Sequence, residues 1–276
     1  MRRYVSWLAV AGTIVGVVGL NLSGGAAAAT TASALPTIKI ALTGTKGVSV
    51  SGTAVSGAVN VVSTFSGKGQ GAVGLVRLNP GVSLQQAVGS VQSHHGDLNA
   101  LTQYGSLFFD ASAPSAVQTV LSPGNYVALN VTGNGNPGFA RFTVTKASVP
   151  AALPAASATE TAIEFGFRGA TVLRNGTIVR AQNGGWLVHM IELFGVRNAA
   201  TGRKVIALLR AGKDNQAQKL ANQNFVNLLG PASPGALQQQ VLRSAPGYYV
   251  EACFMNTQDG REHTQLGMER LVRVVK

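Results

Sequence analysis

The chain has 276 residues, only 12% of them charged, with a formal net charge of +12 from 22 Lys and Arg against 10 Asp and Glu. The excess comes from scarce acids, not from basic tracts, and no basic helix or aromatic-interleaved basic motif is present, which argues against nucleic acid as a partner. A single cysteine excludes an internal disulfide framework.

Arg2 and Arg3 precede an apolar run, Leu8 to Leu20, that is too short and Gly-rich for a good membrane span. Ala32-Ser33-Ala34 then fits an A-x-A cleavage site, with an earlier cut within Ala26–Ala29 as the alternative. Residues 1–34 read as a secretory signal peptide. The mature protein is expected to be exported, with no stable membrane span. Its basic surface suits weak attraction to an anionic envelope surface, or simply keeps the protein soluble.

After the signal come short alternating runs such as TIKIAL, GAVNVVSTF and ARFTVT, separated by Gly, Asn and Pro. That is the pattern of a β-sandwich. GLVRL (Gly74–Leu78) leads to a helix whose Ser83-Leu84-Gln85-Gln86 fits a capping box. His94-His95 follows on a polar loop, where adjacent histidines are ordinarily solvated. SPGNYVALN (Ser122–Asn130) is the next strand-like run. Ala147–Ala158 is rich in Pro and Ala and carries no charge, so it reads as a linker between 35–146 and 159–276.

The second half repeats the order of the first. HMIEL (His189–Leu193) precedes a helix capped by Thr201 and ended by Gly212. Val205, Ile206, Leu208 and Leu209 form its apolar side. APGYYVEAC (Ala245–Cys253) follows. Pro-Gly-x-Tyr-Val stands at Pro123, Gly124, Tyr126 and Val127 and again at Pro246, Gly247, Tyr249 and Val250. The recurrence implies a duplicated domain. Beyond Cys253, Asp259-Gly260 signals a turn, and His263 and Met268 come after it. Thiolate and thioether suit Cu(I), and imidazole suits both oxidation states of copper. The alternative for the same residues is a buried inert thiol with core histidines and a core methionine.

The order of these pieces resembles the cupredoxin superfamily, and most of all its secreted bacterial branch. HMIEL, PGYYVEAC and HTQLGM carry the resemblance over Thr159–Lys276, and it extends more faintly over Pro36–Lys146. It implies an all-β fold of two tandem Greek-key cupredoxin-like β-sandwiches, each with a short helical insert. It also implies copper held in a plane by His189, Cys253 and His263, with Met268 as a weak axial ligand. The interval Phe254–Glu262 is longer than in copper-binding members, so its hairpin either returns His263 to the metal or holds it away. The first half lacks the ligands: Gly74 and Asn130 stand where His189 and Cys253 do. The implied role is electron transfer with a redox partner protein, or copper carriage, without catalysis. The competing role is a metal-free binding module that contacts envelope components or another exported protein. No His-x-His pair, G-x-S-x-G elbow or phosphate loop points elsewhere.

Overall fold

The computed structural model describes residues 34–132 and 137–276, so all but the last residue of the expected signal peptide lies outside the described residues. In the first half, β1 (Thr37–Thr43), β2 (Gly47–Gly52), β3 (Gly57–Ser66) and β6 (Ser115–Leu121) lie side by side in the order β2-β1-β3-β6. They face a second sheet in the order β5-β4-β7-β8, made of β4 (Gly71–Leu78), β5 (Gly105–Ala113), β7 (Gly124–Asn130) and β8 (Phe139–Val144). The alternation of TIKIALT explains the packing. Ile38, Ile40 and Leu42 point inward, while Lys39 and Ala41 point out. The inward set meets Val73, Leu75, Tyr126 and Ala128 of the facing sheet in one core.

The second half has β9 (Ala158–Ile163), β10 (Gly166–Arg168), β12 (Ile178–Asn183) and β15 (Leu237–Val241) in the order β10-β9-β12-β15. Its other sheet runs β11-β17-β16-β13-β14, from β11 (Val172–Arg174), β13 (His189–Val196), β14 (Ala221–Ala232), β16 (Gly247–Ala252) and β17 (Glu269–Val275). Strand for strand, β10-β9-β12-β15 follows β2-β1-β3-β6, and β14-β13-β16-β17 follows β5-β4-β7-β8.

The halves also share a sheet. Gln239 of β15 pairs with Gln118 of β6, which joins the two sets into one eight-stranded sheet. Other bonds cross the same boundary. Leu107 and Ser233 exchange two, with the Ser233 N–H donating to the Leu107 carbonyl at 2.8 Å and the Leu107 N–H to Ser233 Oγ at 2.9 Å. Thr119 Oγ1 donates to the Leu237 carbonyl at 2.7 Å. The connecting segment 147–158 is tied down at several points. Ala151 bridges to Gly57, the Pro154 carbonyl accepts from Arg180 and Gln239, and β9 starts at Ala158.

Each half carries a helix after its central strand. α1 (Leu84–Ser93) begins with the capping box of Ser83 and Gln86. α2 (Ala199–Arg210) starts before Thr201, because Asn198 is its cap and accepts from the Thr201 N–H at 2.9 Å. Val205 and Leu209 are buried beneath it, and Gly212 leaves it with φ +64°. The short α3 (Asp214–Gln218) follows. The repeated Pro-Gly-x-Tyr-Val also has a physical reason. Tyr126 Oη donates to the Ser122 carbonyl at 2.9 Å, and Tyr249 Oη to the Ala245 carbonyl at 2.6 Å. Both rings are 1% exposed, so each tyrosine fills the core and pins the chain four residues upstream. No helix among the described residues is long and apolar enough to cross a membrane.

Candidate metal centre

Strand β13 presents His189 at its first residue, and β16 ends one residue before Cys253. These two strands are antiparallel neighbours, which brings the ends that carry the two residues together. His263 arrives by the long hairpin. Asn256 bridges to Glu262, the His263 N–H donates to the Met255 carbonyl at 2.8 Å, and the Thr257 N–H donates to the Arg261 carbonyl at 2.8 Å. Gly260 takes φ +84° at the tip, as the Asp-Gly signal requires. The extra residues therefore bulge outward, and His263 comes back to Cys253. A 3-10 turn, His263–Leu266, then reverses the chain at Gly267, φ +100°, and delivers Met268.

His189, Cys253, His263 and Met268 are all 0% exposed. His189 Nδ1 lies 3.2 Å from His263 Nδ1 and 3.8 Å from Cys253 Sγ, and Cys253 Sγ lies 3.4 Å from His263 Nδ1. The three side chains form a group whose ligand atoms all fall within 4.8 Å of one another. Met268 enters through the backbone: its carbonyl accepts from the Cys253 N–H at 3.2 Å, and its N–H donates to the His263 carbonyl at 3.0 Å.

The triangle can be compared with what a metal needs. Bonds of about 2.0 Å to nitrogen and about 2.3 Å to sulfur, set at about 120°, separate nitrogens by about 3.5 Å and sulfur from nitrogen by about 3.7 Å. The observed 3.2, 3.4 and 3.8 Å fall close to those values, so the spacing of the three atoms fits a single ion.

Electrostatics follow from burial. The Cys253 thiol is pushed up to about 12 by burial, against backbone N–H groups of Met190 and Met255 that favour the thiolate. The Met190 N–H reaches Sγ at 3.4 Å. Burial, then the neighbouring His189, brings His263 down to about 3, and burial lowers His189 as well. At neutral pH both imidazoles are uncharged and have a lone pair to offer, while the sulfur keeps its proton until a cation displaces it.

A second layer supports the histidines. Glu164 Oε1 lies 3.5 Å from His189 Nε2 and accepts from the backbone N–H groups of Trp186 and Leu187. A Cβ at Gly185 would stand 2.9 Å from His189 Nε2 and closer still to Glu164, so glycine leaves the room this contact needs. Phe165, at φ +56°, sets its ring edge-on to His263 with centroids 5.3 Å apart. His263 Nε2 is buried without a hydrogen-bond partner among the described residues. Neither Glu164 nor Phe165 belongs to a recognisable motif. A carboxylate next to an aromatic in a turn is common, and nothing local links it to His189.

Among the described residues, the first half offers no such group. Strand pairing places Arg77 opposite Tyr126 and Gly195 opposite Tyr249. Counting back along β4 and β13 from those positions, the place of His189 falls to Gly71, not to Gly74 as the alignment of GLVRL with HMIEL suggests. Asn130 keeps the place of Cys253. His94 caps α1, with Nδ1 2.8 Å from the Ser90 carbonyl, and both His94 and His95 are exposed.

No protein-family model matches the chain, and no curated protein matches it by sequence. Solved structures similar to it include an auracyanin from Roseiflexus castenholzii, at 16% identity over 44% of this chain and 100% of that one, TM-score 0.28. An azurin from Methylomonas sp. strain J is 14% identical over 43% of this chain and 96% of that one, TM-score 0.23. A Cu-containing nitrite reductase from Thermus scotoductus SA-01 is 11% identical over 87% of this chain and 67% of that one, TM-score 0.25. At such scores the fold rests on the strand order and the site on its own geometry.

Proposed function

We propose that the chain is an exported cupredoxin-like protein of two tandem Greek-key sandwiches, 35–146 and 159–276 with 147–158 between them. Its second half would hold a single copper ion for one-electron transfer to a partner protein, or for copper carriage. The convergence of His189 Nδ1, His263 Nδ1 and Cys253 Sγ within 4.8 Å carries this reading. Two neutral imidazoles and one sulfur are the donor set that suits copper in both oxidation states. Copper bound there would supply a one-electron couple.

The chain's own residues do the rest. Cys253 would release its proton to solvent on metal uptake and stay oriented by the Met190 N–H at 3.4 Å. Glu164 braces His189 from behind, and Phe165 packs on the edge of His263. The surrounding core, including Met190, Ile191 and Phe254, keeps water from the ligands and holds them still. A site that does not move between oxidation states transfers an electron with little reorganisation. Met268 would add a weak thioether ligand. The first half, without ligands, serves structure. The basic surface would bring an anionic partner or envelope surface near the protein.

The test is titration of the full chain with Cu(II). A thiolate bound to Cu(II) yields an intense visible charge-transfer band that aquated or purely imidazole-bound copper does not, so colour that is lost in Cys253→Ser reports the cysteine. Wild type should colour at one equivalent, Cys253→Ser should stay colourless, and His263→Ala should weaken or shift the band. A colourless wild type with its thiol confirmed reduced would overturn the copper reading and favour a metal-free binding module.

A further inference from the structure

Asn99 belongs to the first half, yet its side chain is bonded to both segments that carry the candidate ligands. Its Oδ1 accepts from the Val188 N–H at 2.7 Å, 89 residues along the chain and immediately before His189. Its Nδ2 donates to the Asn256 carbonyl at 3.2 Å, 157 residues along and at the base of the hairpin between Cys253 and His263. The second hydrogen of the same amide goes to Asp97 Oδ1 at 2.8 Å. All three bonds use the amide in one orientation. Turning it over would set donor against donor at Val188 and acceptor against acceptor at Asn256 and Asp97.

The amide is presented firmly. Asn99 sits in a 3-10 turn, Leu98–Leu101, capped by Asp97, whose Oδ1 also accepts from the Asn99 N–H at 2.8 Å. Thr102 Oγ1 donates to the Asn99 carbonyl at 2.7 Å. Leu98, next to it, packs against the core of the second half as well as that of the first. Asn256 is itself bridged to Glu262, the residue before His263. A displacement of Asn256 is therefore passed to His263, and one of Val188 to His189.

We infer that Asn99 is a positioning residue for the His189–Cys253–His263 group: through one amide, the first half fixes the spacing between the strand that carries His189 and the hairpin that carries His263. This gives the metal-free half a role in the site of the other half. It rests on the copper reading only for its spectroscopic readout.

The test uses the full chain with Asn99→Ala, Asn99→Asp and, as control, Thr119→Val. Thr119→Val removes another bond between the halves, the one to the Leu237 carbonyl, without contact to the ligand-bearing segments. The first readout is the rate at which Cys253, 0% exposed, reacts with a small disulfide reagent in the metal-free protein. After correction for each variant's global stability, Asn99→Ala should react about tenfold faster than wild type, because leaving the buried Val188 N–H without its partner shifts local opening by that order. Asn99→Asp keeps the acceptor for Val188 but loses the donors to Asn256 and Asp97 and sets a second carboxylate against Asp97, so it too should react faster than wild type. Thr119→Val should match wild type. The second readout is the Cu(II) band, whose position should shift in Asn99→Ala and not in Thr119→Val. If Asn99→Ala reacts no faster than Thr119→Val after the same correction, the inference is overturned. Should wild type take up no colour, the thiol rates still decide the role of Asn99, and the copper reading alone fails.

Discussion

Arg270 is shared between two buried carboxylates. Glu160 and Glu251 are both 0% exposed, and each is bonded to its guanidinium. One positive charge can neutralise only one of them. Burial, and next the charge of Glu251, push Glu160 up to about 7 against the pull of Arg270. Glu160 therefore holds its proton more tightly in the folded chain than in the unfolded one. Its contribution to stability is fully present below its ordinary value of 4.5 and is lost as pH rises through about 7. Glu160→Gln copies the protonated form at every pH. In urea unfolding, the stability of wild type relative to Glu160→Gln should fall between about pH 5 and about pH 8. A difference that stays flat or rises over that window would show that Glu160 is ionised throughout. At this scale the sequence is legible where chemistry is concentrated in rare residue types. One cysteine, a histidine and a methionine in order single out Cys253, His263 and Met268. Glu164, Asn99 and Gly185 are common types whose meaning lies in what they touch, and that contact is made by segments far apart in the chain.

The tyrosine-containing strands and the long hairpin are the elements that build the site. In β16, Tyr249 Oη donates to the Ala245 carbonyl and also lies 2.6 Å from Ser244 Oγ. In β7, Tyr126 Oη has the Ser122 carbonyl as its one partner among the described residues, at 2.9 Å. Removing the hydroxyl leaves the ring in the core and the upstream turn without its anchor. Tyr249→Phe should cost about 1 kcal/mol of stability. Tyr126→Phe should cost no more than that, since its hydroxyl has fewer partners. Equilibrium unfolding in denaturant measures both, and an unchanged midpoint in Tyr249→Phe would mean that the corner only records the fold. The recurrence of Pro-Gly-x-Tyr-Val is visible in the sequence because the corner needs those residue types at fixed spacing. The Asp-Gly tip of the hairpin is visible for the same reason. Where the hairpin returns is not: nine residues, Phe254–Glu262, permit either outcome until backbone pairing from Asn256 to Glu262 decides it. The start of α2 is similar. Asn198 and Thr201 both suit a cap, and the Asn198 side chain takes the role by bonding the Thr201 N–H.

At the scale of the whole molecule, the two halves repeat one strand order and are locked together at their edges. Alternation in strands such as β1 and β12 makes the β-rich fold legible, whereas β4 and β13 are buried along nearly their whole length. The joining of β15 to β6 is not legible, since Gln239 and Gln118 read in the sequence as ordinary polar residues although Gln239 is buried at the joint. That joining, with Leu98 and Asn99, lets a half without ligands shape the surroundings of a site it does not contain. The ligand triangle is proposed to take copper through one sulfur and two imidazoles. X-ray absorption at the copper edge of the full chain, loaded with one equivalent, measures those bonds directly. It should show a first shell of one sulfur and two imidazole nitrogens, with the sulfur shell lost in Cys253→Ser. A first shell of nitrogen and oxygen only in the wild-type protein, with its thiol intact, would contradict the claim.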